Sequence, residues 1–249
     1  MTLIWDAVGA PRGTAVLLHG VTASAQTWWR IGPALAALGW QTSAVDLPGH
    51  GEAPRLDGPA DLGAVAAAVA LPDRVDLLVG HSLGAIVAMR LAGHRPDLAR
   101  ALVLEDPPGA GADRVTIAQG IEADGERVTR DWSALVRRER AANPTWADED
   151  VEYSVDGIAA TDVPAVVAAL RGPLRWDLPA LVAALRVPAL VLAATEERGS
   201  ALRDDRQNVR ELVPDGRFVV LDSGHCLHRD RPDEWLRAVS AFADEVLPR

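Results

Sequence analysis

Lysine is absent from this chain: all 25 basic residues are arginine, against 35 acidic ones, for a formal net charge of -10. That balance, with a sequence pI near 5.0, argues against nucleic acid or an anionic membrane surface as a partner. No arginine cluster pairs with aromatic residues, so the missing lysines read as compositional bias. The single cysteine, Cys226, excludes an internal disulfide and a thiolate metal cage. No apolar run approaches the ~20 residues that span a bilayer, so no membrane-spanning segment is expected. Met1 to Asp6 lack the basic start and apolar stretch of a secretory leader, which makes a cytoplasmic location the expectation. Repeats and low-complexity tracts are missing as well.

What is present fits one large α/β domain in 249 residues. The chain is organised around Val79-Gly80-His81-Ser82-Leu83-Gly84, where an apolar run stops at a serine held between glycines. Leu77 to Val79 suit a buried strand and Ala85 to Leu91 a helix, so Ser82 falls on a strand-to-helix turn. Small neighbours let strand and helix pass closely, and the helix start brings N–H groups and a positive dipole end beside the hydroxyl.

Strand and helix signals alternate on either side. Strands are expected at 2–8, 14–18, 40–45, 74–79, 101–104, 187–194 and 217–221, and helices at 27–38, 61–71, 201–212 and 231–246. Such alternation implies a mostly parallel sheet with helices on both faces and a site at the carboxyl ends of the strands. Between about Gly109 and Arg186 the rhythm fails, and repeated Gly and Pro punctuate helices instead. The expected organisation is therefore a core of residues 1–108 and 187–249 with a helical cap at 109–186.

A serine hydroxyl needs a base within hydrogen-bond reach, and the base needs an orienting acid. His225 follows the last expected strand and shares the edge that carries Ser82. His19 and His50 sit in turns, His81 adjoins the serine and points elsewhere, His94 ends a helix, and His228 lies one turn beyond His225.

With these residues the chain resembles the α/β-hydrolase fold family in its capped, single-domain form. The matching motifs are His19-Gly20 after the third family strand, Asp46-Leu47-Pro48-Gly49-His50-Gly51, the turn at Ser82, and Gly224-His225. The resemblance implies a cap inserted after the sixth family strand and an oxyanion hole formed by the backbone N–H groups of Val21 and Leu83. For the acid it offers two places. Glu197 lies in the loop after the penultimate strand, where members usually carry an Asp. Glu105 lies at the strand end where other members place a carboxylate, and it interrupts an apolar strand exit. Glu105 is preferred on that ground, the bland reading being that it pairs with a cap arginine while Asp106 is buried beside it.

The implied activity is hydrolysis of a small, apolar carboxylic ester or lactone through an acyl-enzyme, with no cofactor or metal. A carbon–carbon bond hydrolase or lyase on the same residues, or a binding protein that kept the fold, are the alternatives. Trp132, Trp146, Tyr153 and Trp176 could line an apolar pocket, and Trp28 and Trp29 follow the oxyanion loop, but none is assigned to the site.

Overall fold

The computed structural model describes residues 2–56, 58–109, 111–213 and 217–247. The outer ends of the expected core segments and position 110 of the expected cap lie outside the described residues. Seven strands, β1 (Thr2–Trp5), β2 (Gly13–Leu18), β3 (Trp40–Val45), β4 (Val75–His81), β5 (Ala99–Glu105), β6 (Ala189–Ala194) and β7 (Phe218–Leu221), form one sheet in the order β1-β3-β2-β4-β5-β6-β7. β1 runs antiparallel to β3 and every other pairing is parallel.

The helices in chain order are α1 (Ile31–Ala37), α2 (Leu62–Ala67) and α3 (Leu83–His94), then α4 (Arg114–Arg130), α5 (Trp132–Ala142), α6 (Asp148–Ala159), α7 (Val163–Arg171) and α8 (Leu178–Ala183). After β6 come α9 (Arg206–Leu212), α10 (Leu227–Asp230) and α11 (Pro232–Val246). Aspartate side chains cap several of them: Asp61 accepts from Ala64 N–H at 2.8 Å, Asp131 from Ala134 at 2.9 Å and Asp177 from Ala180 at 3.0 Å. Between β5 and β6, α4 to α8 replace the βα alternation. Among the described residues only β1 precedes β2, so the insertion follows the fifth strand, one behind the family count.

Strand alternation splits the core in two. Val16, Leu18, Leu78, Leu102 and Leu104 face a cluster with residues of α2, α3, α8 and α9, while Leu17, Leu77, Val79, Ala101 and Val103 face Trp28, Leu35, Trp235 and Phe242. Both faces are covered, which is why the central strands read as continuous apolar runs.

One expected element is corrected and one short helix is added. The helix expected over 27–38 is broken into a 3-10 turn, Ala25–Trp28, and α1. Pro33 has no N–H to give, so it is tolerated only in a helix's first turn, and the helix restarts at Ile31. The short α10 carried too few residues to show a period. Among the described residues no single helix is long and apolar enough to cross a membrane.

Candidate active site

Ser82 closes β4 and opens α3 with φ 53° and ψ -119°, a conformation a side-chain-bearing residue rarely adopts. Its N–H donates to the Glu105 carbonyl at 2.9 Å, tying the turn to the end of β5. The glycines around it are required by contact. A Cβ on Gly80 would meet the Gly84 carbonyl and lie 2.5 Å from the Ala85 nitrogen, and one on Gly84 would meet the Leu18 carbonyl and lie 2.6 Å from the His19 oxygen.

His225 sits after β7, and its Nδ1 lies 2.7 Å from Oδ2 of Asp106. Asp106 leaves β5 with φ 41° and is wholly buried. Its carboxylate also accepts from Ala194 N–H (3.2 Å), the Ser200 hydroxyl (2.7 Å) and Ala201 N–H (2.8 Å). An acceptor so surrounded by donors takes Nδ1–H of His225 as one more, which leaves the Nε2 lone pair free.

This overturns the sequence expectation that Glu105 meets His225. The Glu105 carboxylate, also wholly buried, instead accepts from Nδ1 of His228 at 2.7 Å, the His228 N–H at 3.1 Å and the Trp235 indole at 2.9 Å. It points into the second core, on the opposite side of the strand end. Glu197 is exposed in the loop before Ser200, and among the described residues the carboxylate bonded to His225 is that of Asp106. Asp106, which the sequence leaves as the buried neighbour of Glu105, is the carboxylate that the structure brings to His225.

Two further histidines brace the site. The His81 Nε2–H donates to the His225 carbonyl at 3.0 Å, and the two rings lie 4.7 Å apart. Burial holds His81 well below the ordinary histidine value, so it stays neutral. His19 is lowered to about 3, chiefly by burial and then by its neighbour His50. Its Nε2 accepts from Leu47 N–H at 2.9 Å and its Nδ1–H donates to Gly20 at 2.7 Å, linking the turn that carries Val21 to the 46–51 loop. Asp46 closes that loop by accepting from Ala25 N–H (2.7 Å) and Glu52 N–H (2.8 Å).

Val21, Ser82, Leu83 and His225 share one cavity of about 310 Å³ at the carboxyl ends of the strands. Of the aromatic residues singled out by sequence, Trp176 lines it and donates its indole N–H to the Pro108 carbonyl at 2.7 Å. Trp28 is core, Trp29 bonds Asp150, Trp146 bonds Asp230, and Trp132 bonds Asp156 at the surface. Tyr153 packs edge-on against Trp29, with ring centroids 6.5 Å apart.

A model of the alpha/beta hydrolase family matches residues 15–239. N-formylmaleamate deformylase of Pseudomonas putida is 30% identical over 243 residues, 93% of this chain and 89% of that protein. A pimeloyl-[acyl-carrier protein] methyl ester esterase of Neisseria meningitidis is 45% identical over a shorter stretch of 89 residues, 35% of this chain and 28% of its own length. Among solved structures, the enol-lactonase from Burkholderia xenovorans superposes with a TM-score of 0.74 at 20% identity, covering 97% of this chain and 95% of its own. That last likeness is one of fold.

Proposed function

Because the chain belongs to the alpha/beta hydrolase family, we propose that it is a serine hydrolase cleaving a carboxylic ester or lactone through an acyl-enzyme, with Ser82 as nucleophile, His225 as base and Asp106 as acid. The observation that carries this is the 2.7 Å bond from His225 to a buried carboxylate, in a histidine that shares a cavity with a strained serine. Ser82 Oγ attacks the carbonyl carbon as His225 Nε2 takes its proton, and the oxyanion is received by the N–H groups of Val21 and Leu83. Collapse returns the proton to the leaving alkoxide, and water repeats the sequence to free the acid and Ser82. Asp106 keeps the imidazole in the Nδ1–H tautomer and stabilises the imidazolium.

In this reading residues 109–186 act as a lid over the core of residues 1–108 and 187–249. Its support is that Ile117 of α4, Leu170 of α7 and Trp176 contribute to the wall of the cavity.

Cleavage of an acyl–nitrogen bond is a second reading, favoured by the deformylase that matches 93% of the chain. The test is a panel of p-nitrophenyl esters, lactones and N-formyl amides, with fluorophosphonate labelling of Ser82. Turnover with labelling lost in Ser82→Ala supports the assignment. Turnover retained at near wild-type rate in Ser82→Ala rejects it.

A further inference from the structure

The described residues lining the Ser82 cavity include one permanent cation, Arg203, in a wall otherwise dominated by apolar groups such as Leu83, Ile117, Leu170 and Trp176. Two other arginines of the same loop region are engaged: Arg198 pairs with Asp222 at 2.7 Å and Arg206 with Glu196 at 3.3 Å. Arg203 is exposed, and among the described residues its guanidinium has no ion-pair or hydrogen-bond partner, its carbonyl alone accepting from Arg206 N–H. Asp113 is close enough to feel its charge, but its carboxylate is committed to capping α4 through Val115 and Thr116.

The placement of Arg203 is fixed rather than incidental. Its φ is 47°, a conformation that costs a side-chain-bearing residue on the order of 1 kcal/mol or more and persists only where surroundings impose it. Two and three residues upstream the Asp106 carboxylate accepts from the Ala201 N–H at 2.8 Å and the Ser200 hydroxyl at 2.7 Å, and the wholly buried Leu202 anchors the position between them and Arg203. The carboxylate that orients His225 thus also fixes the loop that presents Arg203.

We propose that Arg203 is a specificity residue which recognises a carboxylate on the substrate, so that the preferred substrates are small half-esters of dicarboxylic acids. This rests on the hydrolase reading of the same site. A guanidinium presents a planar fork that matches a carboxylate with two parallel bonds. At the edge of an apolar cavity of about 310 Å³ it selects an acyl chain that is apolar in its middle and anionic at its far end.

The experiment compares p-nitrophenyl hemiglutarate with p-nitrophenyl pentanoate, which differ only in whether the far end is a carboxylate or a methyl group. The wild-type protein favours the hemiglutarate in kcat/KM. In Arg203→Gln the ratio of the two values falls about tenfold, chiefly through KM, and Arg203→Lys recovers part of it. Arg55→Gln, at a different surface depression, leaves the ratio alone. An unchanged ratio in Arg203→Gln, or a wild-type protein that prefers the pentanoate, overturns the proposal. If neither ester is turned over and Ser82 takes up no fluorophosphonate, the hydrolase reading has failed, and titration of glutarate then decides the anion site. Binding lost in Arg203→Gln upholds it, while equal binding, or none to the wild type, rejects it.

Discussion

The neighbouring residues Glu105 and Asp106 hold two different histidines, each at 2.7 Å from Nδ1: His228 for Glu105 and His225 for Asp106. Odd positions of β5, Ala101 and Val103, face the cluster containing Trp28 and Trp235, and Glu105 keeps that parity. Asp106 leaves the strand and reaches the loops after β6 and β7. The proton pattern around Glu105 follows from its neighbours. Arg229 donates to Thr27 Oγ1 at 2.7 Å, and the Thr27 hydroxyl donates to His228 Nε2 at 3.0 Å. His228 Nδ1–H then donates to Glu105. Burial holds His228 well below its ordinary value, so it relays between Glu105 and Arg229 as a neutral ring.

Asp106→Asn keeps the size of the proposed orienting acid and removes its charge. The expected cost is roughly 10³ to 10⁴ in kcat, the scale found when a triad carboxylate is neutralised. Glu197→Gln is expected to stay near wild type. Acylation rates with a p-nitrophenyl ester check both, and an Asp106→Asn protein within tenfold of wild type would remove Asp106 from the mechanism.

Glu105→Gln acts on stability instead. An amide carries N–H groups into a pocket of donors, so one buried bond is lost and a repulsive contact is made, a loss on the order of 2–4 kcal/mol. His228→Ala leaves Glu105 short of a donor and should cost a similar amount. Denaturant unfolding measures this, and a Glu105→Gln protein as stable as wild type but catalytically dead would restore Glu105 to the active site.

The strand-to-helix turn at Ser82, the parallel sheet and the position of His225 were legible because each has a short-range cause: apolar runs, flanking glycines and regular alternation. The carboxylate that meets His225 was less so. Choosing between Glu105 and Asp106 depends on which of two adjacent residues is the last to obey strand alternation, and a run of leucines and valines does not reveal where the strand stops. The break before Pro33 is masked by an apolar period of 3–4 that continues across it. Arg203 gives no signal, because the loop that carries it is tied down by Asp106 nearly a hundred residues earlier.

Stability should fall in mild acid. His19, His50, His81 and His228 are buried and held below the ordinary value of 6.5 chiefly by that burial. Above pH 6.5 both folded and unfolded states carry them neutral. Below it the unfolded chain binds protons that the folded chain refuses, so each contributes a loss of up to about 1.4 kcal/mol per pH unit until its own folded pKa is reached, about 3 for His19. Glu105, pushed up by burial, takes its proton sooner when folded and works the other way, one group against four. Tm is therefore expected to be level from pH 7 to 8 and to drop steeply from pH 6.5 to 5. A level Tm across that lower range would mean that these histidines are not held neutral.

The glycines flanking Ser82 give the sharpest packing test. A methyl group at Gly84 would collide with the Leu18 carbonyl and lie 2.6 Å from the His19 oxygen, both backbone atoms that no rotamer change can move. Relief requires α3 to back away from β2 or the turn after β2 to shift, and that turn carries Val21, whose N–H is assigned to the oxyanion. Gly84→Ala should therefore lose at least several kcal/mol of stability, and whatever protein folds should have kcat reduced by the displacement of Val21. Gly120 in α4 supplies the contrast. Nothing lies within 4 Å of a Cβ built there, so Gly120→Ala should stabilise by about 0.5–1 kcal/mol through the lower entropy of the unfolded chain, with activity unchanged. Urea unfolding of the two variants beside wild type measures both effects. A Gly84→Ala protein that unfolds at the wild-type midpoint would show that α3 and β2 are not packed backbone against backbone at the turn that presents Ser82.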